Sequence, residues 1–315
     1  SGKDWSEKII SELKTMPNVT LKNRSQVFGY YDHNMMVMFE RVGDHLSNKS
    51  KYTPRQRLWY IRAKETILST GSIERPIVFG NNDTPGVVLS SAAKEYMKVY
   101  GVLVGRKPII FTNNDSAYET AFEFKKNNVE PIILDTREEH DSEVVQEAKN
   151  KGIQIKFSYG VIVANGYKKV KSAKIGKLTK DKKSFESTET INCDCICVSG
   201  FWTPTVHLAS QSGNKLKFDE KIDAFIPDKS KQNEKTIGAA NGSFTLQETI
   251  ESGFKTGSEL SSKITDKNNE NKIPTVTETK YSVHDKFWCM PLPKNENPKR
   301  FVDFQNDVAV SDIEI

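Results

Sequence analysis

The chain has 315 residues, 46 of them lysine or arginine and 41 aspartate or glutamate, for a net charge of +5, with 36% hydrophobic residues and a mean hydropathy of −0.58. That length accommodates two modest domains, and no apolar run reaches the roughly 20 residues needed to span a bilayer. The start, Ser1-Gly2-Lys3-Asp4-Trp5-Ser6-Glu7, has no apolar signal core, and basic runs such as Lys177 to Lys183 carry no interleaved aromatics. The expectation is a cytoplasmic protein with no nucleic-acid face and no membrane segment.

In chain order, Asp4 to Met16 reads as an amphipathic helix, with Ile9, Ile10, Leu13 and Met16 at helical spacing. Asn18 to Phe28, Asn34 to Glu40 and Arg55 to Leu68 read as strands, with a turn at Tyr30-Tyr31-Asp32-His33-Asn34 between the first two. A chain reversal follows at Gly71, and Pro76 and Pro85-Gly86 hold the next residues extended and turning. Ser90 to Tyr100 is helical in pattern. From Arg106 to Gly200 the rhythm is β-α-β-α-β: strands at Pro108–Phe111, Val129–Leu134 and Ile153–Ala164, helices opened by a capping box at Ser116–Glu119 and by Asp141. That order predicts a parallel sheet covered by helices. Lys168 to Leu178 and Thr188 to Ser199 read as a hairpin excursion and the returning strand. A second capping box, Thr245–Glu248, opens a helix to about Lys263, and the Lys-, Asn- and Thr-rich Ile264 to Lys280 reads as linker.

Of the four cysteines, Cys193, Cys195 and Cys197 alternate, so on one strand they share a face. The spacing is too tight for an ordinary zinc site and suits small core residues in a reducing setting. The five histidines have no metal spacing and no paired nucleophile, and no catalytic constellation stands out.

Ser69-Thr70-Gly71-Ser72-Ile73-Glu74-Arg75-Pro76, with Thr84-Pro85-Gly86 after it, resembles the A-T-G-x-x-x-R-P…P-G crossover of two-dinucleotide-binding flavoproteins. A more specific set is Val27-Phe28-Gly29-Tyr30-Tyr31-Asp32-His33, Arg55 to Trp59, Ile73 to Phe79, Phe111 to Asp115, Val198-Ser199-Gly200, Pro204 to Leu208 and Phe301 to Val308. Together these resemble the α subunit of the heterotetrameric sarcosine oxidases. The resemblance implies an α/β fold of two nested Rossmann-like domains. The first is incomplete and runs over 1–100; an inner domain at 101–200 is inserted in it, 201–265 returns to complete it, and 266–315 leads toward a further domain. The chain contains no G-x-G-x-x-G turn, which a complete domain of this class carries near its start. The expectation is therefore a fragment.

The resemblance also implies function. The parent complex would oxidise sarcosine to glycine, yielding hydrogen peroxide and either formaldehyde or 5,10-methylenetetrahydrofolate. NAD would lie in this subunit, FAD and FMN on the partner β subunit, and tetrahydrofolate in a C-terminal domain. The β, γ and δ subunits would be partners, and no residue here need be catalytic. In FAD enzymes of this kind the turn at Gly238–Gly242 carries an acid for the flavin, whereas Ala239 stands here. The helix start at Thr245 remains and offers backbone N–H groups to a phosphate. The family's NAD contacts map onto Ala239, Phe244 and Leu246, with Val27 beside the adenine. In the inner domain, Asn113-Asn114-Asp115 stand where glycines would cradle a pyrophosphate, so that domain is expected to hold no nucleotide, and Asp135 alone does not make a ribose site. Opine, hydroxyproline and cyanide-forming amine dehydrogenase subunits, or a non-catalytic interaction module, are the alternatives.

Overall fold

The computed structural model describes residues 2–265, 273–276 and 284–314. In chain order the elements are α1 (Gly2–Thr15), β1 (Ser25–Tyr31), β2 (Met35–Arg41), β3 (Gln56–Arg62), β4 (Thr66–Leu68), β5 (Ser72–Glu74), β6 (Val87–Leu89), α2 (Ser90–Tyr100), β7 (Pro108–Thr112), α3 (Tyr118–Lys126), β8 (Ile132–Asp135), α4 (Glu143–Asn150) and β9 (Gln154–Phe157). They continue with β10 (Tyr159–Gly166), β11 (Val170–Leu178), β12 (Phe185–Asn192), β13 (Cys195–Ser199), β14 (Trp202–Pro204), α5 (His207–Gln211), β15 (Leu216–Asp219), β16 (Ala224–Pro227), β17 (Glu234–Thr236), α6 (Leu246–Thr265), β18 (Phe301–Asp303) and β19 (Val308–Ala309). Two compact units result. Unit 1 comprises Ser1–Thr70, Thr205–Phe218 and Phe225–Ile273; unit 2 comprises Gly71–Pro204, Asp219–Ala224 and Pro274–Ile315.

In unit 1, β1, β2 and β3 form an antiparallel meander. His33 and Asn34, both at positive φ, make the β1–β2 turn. Asn34 is buried and fully used: its Oδ1 accepts from Tyr30 Oη at 2.5 Å, and its Nδ2 donates to the carbonyls of Lys64 (3.3 Å) and Asn233 (3.0 Å). Asn is suited to this place because it tolerates the left-handed conformation and offers both donor and acceptor. A parallel pair, β4 with β17, completes the sheet structure that concerns function.

In unit 2, five parallel strands run in the order β6-β13-β7-β8-β9. Every residue of β7 and β13 is buried, as expected for parallel strands covered on both faces. Alternate residues serve two cores. Ile110, Ile133, Cys195 and Cys197 face α2, α3 and α4, among Met97, Tyr118, Phe124 and Val144. Ile109, Phe111, Leu134, Ile196 and Val198 face a three-stranded antiparallel sheet, β10-β11-β12, among Ile162, Ala173, Ile175 and Met290.

Several expectations change. The three cysteines do not share a face, because Cys193 precedes β13 and packs in the opposite core from Cys195 and Cys197. The strand expected at 153–164 is two strands of two sheets, divided at Ser158 with φ 55°. Ser116 does not cap α3: Asn114 accepts from Ser116 N at 3.1 Å and opens a short 3-10 turn, Asp115–Ala117, ahead of the helix. Unit 2 begins at Gly71, whose φ of 73° makes the expected reversal. Part of the expected linker, 266–272 and 277–280, lies outside the described residues. Farther on, Met290 and Phe301 are buried in unit 2.

Candidate functional site

Each unit presents the carboxyl ends of parallel strands, the edge at which α/β folds bind ligands. In unit 1 the ladder of β4 and β17 continues one step, Ile237 N donating to Leu68 O at 2.9 Å. The chain then makes a 3-10 turn, Gly238–Asn241, closed by Gly242. Gly238 has φ 62°, and a Cβ there would lie 3.1 Å from Thr249 Cγ2, so a glycine lets α6 pack close against the turn. Thr249 Oγ1 donates back to the carbonyls of Ser243 (3.1 Å) and Thr245 (2.9 Å).

The capping box at Thr245 forms: Glu248 N donates to Thr245 Oγ1 at 3.2 Å and Thr245 N donates to Glu248 Oε2 at 3.4 Å. This corrects one expectation, since these two amides are spent within the helix start and Glu248 sets a carboxylate beside it. What the turn and the helix start offer a dinucleotide is apolar: half-buried Ala239, half-buried Phe244 and half-exposed Leu246. Val27 is half-buried on β1 opposite Met38. A polar cleft of about 710 Å³ also reaches Asn241, but Glu65, Asp228, Glu234 and Glu259 line it against Lys217, Lys235 and Lys263, a balance that does not draw a pyrophosphate. The side chains of Ala239, Phe244 and Leu246 therefore offer a nucleotide apolar contact and no charge of either sign.

Unit 2 answers the same question differently. Asn113, Asn114 and Asp115, after β7, are at most 1% exposed. Asn114 Nδ2 donates to Asn113 Oδ1 (3.0 Å) and to Ser199 Oγ (3.1 Å). Asp135, the residue in the place of a ribose-binding acid, accepts from Tyr118 Oη (2.8 Å) and from Nε (2.9 Å) and Nη2 (2.7 Å) of Arg137. Nη2 also lies 2.7 Å from Asp115 Oδ1. The neighbouring Asp135 carboxylate and burial push the Tyr118 phenol well above its ordinary range, burial being the larger cause. Asn113, Asn114 and Asp115 thus stand where a pyrophosphate-binding turn carries glycines.

Arg75 and Glu74 of the crossover motif prove to be clamps within unit 2. Arg75 donates to the carbonyls of Gly200 (3.0 Å), Asp223 (2.8 Å) and Ile222 (3.0 Å), and its guanidinium lies 3.8 Å above the Trp288 ring. Burial lowers it to about 10. Glu74 accepts from Ser91 N at 2.7 Å at the start of α2, and burial raises its carboxyl above the ordinary value. The motif was legible as a motif, but the partners of these residues lie up to 148 positions away.

His284, 6% exposed, stacks on Phe201 with ring centroids 4.0 Å apart and 8° between planes. Burial first, then the positive charge of Arg75, lowers it from 6.5 to about 4; Lys286 adds to this, while Asp223 and Asp285 oppose it. Between those two values the unfolded chain binds a proton that the folded chain refuses. The stability due to neutral His284 is thus complete above pH 6.5 and is lost as pH falls toward 4. Replacing His284 by Phe is expected to flatten the fall in melting temperature over that interval. Equal slopes for the two proteins, measured by calorimetry, would rule this out.

The fold is shared with solved oxidoreductase structures. Thioredoxin reductase from Lactococcus lactis matches at a TM-score of 0.55 and 13% identity over 77% of this chain and 75% of its own. The HOCl-induced flavoprotein disulfide reductase of Escherichia coli matches at 0.55 and 15% over 81% and 53%; at these identities the likeness concerns the fold. In sequence, the chain is similar to sarcosine oxidase α subunits. It is 30% identical to that of Corynebacterium sp. (strain P-1) and 31% identical to that of Rhizobium meliloti (strain 1021), each over 98% of this chain. The resemblance stated from the motifs is borne out over nearly the whole chain, which spans about a third of the length of those relatives. No family model matches it. Among the described residues no helix is long and apolar enough to cross a membrane.

Proposed function

We propose that this chain is the dinucleotide-holding segment of a sarcosine-oxidising enzyme's α subunit, and that unit 1 holds NAD at the Gly238–Leu246 turn through Ala239, Phe244 and Leu246, with Val27 contributing from the meander. The whole enzyme would convert sarcosine, dioxygen and water to glycine, formaldehyde and hydrogen peroxide, the one-carbon unit passing to tetrahydrofolate when that acceptor is bound. FAD and FMN would lie on the partner β subunit and the folate in a domain beyond this segment, with γ and δ subunits completing the heterotetramer. This chain would contribute a scaffold and a bound nucleotide and no acid, base or nucleophile.

The observation that carries the reading is Ala239, in a glycine-started turn between a parallel strand and a long helix, where a flavin-binding relative would present a carboxylate. A small apolar side chain supplies no acceptor to a flavin's ribityl hydroxyls, and it leaves room for a nucleotide face. The chain purified from its native source is expected to release one NAD per molecule on denaturation and no FAD. Chromatography of the extract checks this, and stoichiometric FAD would sink the reading.

A further inference from the structure

In the order β6-β13-β7-β8-β9, β7 is followed by α3, whereas β13, entered last, leads away to β14, so the connectivity switches between these two neighbours. At such a switch point an open α/β sheet leaves a crevice beyond its carboxyl ends, and dinucleotides bind there. In unit 2, residues that follow β7, β8 and β13 are touched by one short segment, 284–290. After β7, Asp285 N donates to Asn113 O at 2.9 Å, and Asn113 Nδ2 donates to the carbonyls of Asp285 (2.7 Å) and Phe287 (3.2 Å). After β8, Thr136 Oγ1 donates to Asp285 Oδ2 at 3.3 Å, and Lys182 pairs with the same carboxylate. After β13, the ring of Phe201 lies flat on His284. The far end of the segment is held by strand-like bonds, Val78 N to Trp288 O at 2.7 Å and Met290 N to Val78 O at 2.8 Å, with Met290 fully buried.

We propose that residues 284–290 are a strap that occupies the dinucleotide's place on unit 2 and keeps nucleotides out of it. Its contacts follow the sequence of contacts a nucleotide would make along this edge: hydrogen bonds at the turn after the first strand, a polar contact after the second, and a planar ring stacked beyond the strand across the switch point. The Asp285 carboxylate, paired with Lys182, sets an anion in the crevice as a phosphate would. Phe201 has φ 81°, a conformation that a bulky residue keeps only where its surroundings hold it, and in it the aromatic ring meets the imidazole. The two amide hydrogens of Asn113 are consumed by the strap, and they are the donors that would turn to a phosphate once it left. This inference is independent of where unit 1 holds its nucleotide.

The test uses the full chain with Asp285→Ala and Trp288→Ala together, and the milder Asp285→Asn, followed by hydrogen exchange and mass spectrometry with ADP as the probe. The expected result is exchange at Val78, Asp285 and Met290 faster by roughly tenfold or more in the double variant, with β7 and β8 unchanged, because a separable segment opens on its own. Excess ADP is then expected to protect residues 111–118 and 199–202 in that variant and not in the parent, with an intermediate response from Asp285→Asn. Exchange rising equally in β7 and β8 would make the segment part of the sheet's own core and overturn the proposal. So would an opened strap in a folded chain that shows no protection by ADP at either turn.

Discussion

Replacing Arg137 by Met is expected to lower the stability of unit 2 by about 3–5 kcal/mol at neutral pH, the usual cost of removing one member of a buried ion group. The Arg137 side chain is 10% exposed and lies 2.7 Å from both Asp115 and Asp135, whose side chains are wholly buried. A methionine fills a comparable space but leaves two carboxylates facing each other in a medium that solvates charge poorly. The variant Arg137→Met with Asp115→Asn and Asp135→Asn removes both charges and should recover much of the loss, because burying an ion triad is itself costly. Urea denaturation of the three proteins measures these differences. A single variant within about 1 kcal/mol of the parent would show that the triad contributes no more than a solvated surface pair.

This cluster shows what could and could not be read from the chain. The parallel strands announced themselves: Pro108-Ile109-Ile110-Phe111 and Cys195-Ile196-Cys197-Val198 are continuous apolar runs because both faces of that sheet are covered. The Asn113–Asp115 turn was legible as a poor pyrophosphate cradle, since side-chain volume and charge are properties of residue type. Arg137 carried no signal, because its importance comes from two acids that the fold brings together, one of them 22 positions earlier. The break at Ser158 was hidden for a different reason. Nothing in a serine's local preference marks a left-handed residue, and only the switch of Tyr159 onto a second sheet demands it.

The tail of the chain was the least legible part, again for a physical reason. The residues around 284–290 have neither strand nor helix periodicity, since their bonds run to Val78, Asn113 and Thr136, more than 100 positions back. A segment ordered by distant partners looks like linker when only its neighbours are considered. The same holds for Tyr30 and Asn34, whose motif was recognised while its anchors, Gln211 and Asn233, were not. The two units thus treat the same edge of a nucleotide fold in opposite ways. Unit 2 fills it with its own side chains and main chain, whereas unit 1 reduces it to glycine and alanine.

If that small-residue turn lies against NAD, Ala239→Asp should lower NAD retention by at least tenfold. A carboxylate about 4 Å from a phosphate or another fixed negative group is repelled by ~4 kcal/mol at an effective dielectric near 20. Solvent and rearrangement reduce that figure, but ~1.4 kcal/mol already makes a factor of ten. Ala239 is half-buried while its neighbour Ala240 is wholly buried, so an aspartate has an outlet toward solvent and the fold should survive. Ala239→Asn separates charge from size: it has nearly the same volume and no charge, so repulsion predicts that it retains NAD far better than the aspartate does. Steric blockage predicts equal losses for the two. The quantity to compare is NAD per folded chain, with folding judged by circular dichroism and the melting transition. Full retention in a well-folded Ala239→Asp protein would remove this turn from the cofactor site and, with it, the observation on which the proposed function chiefly rests.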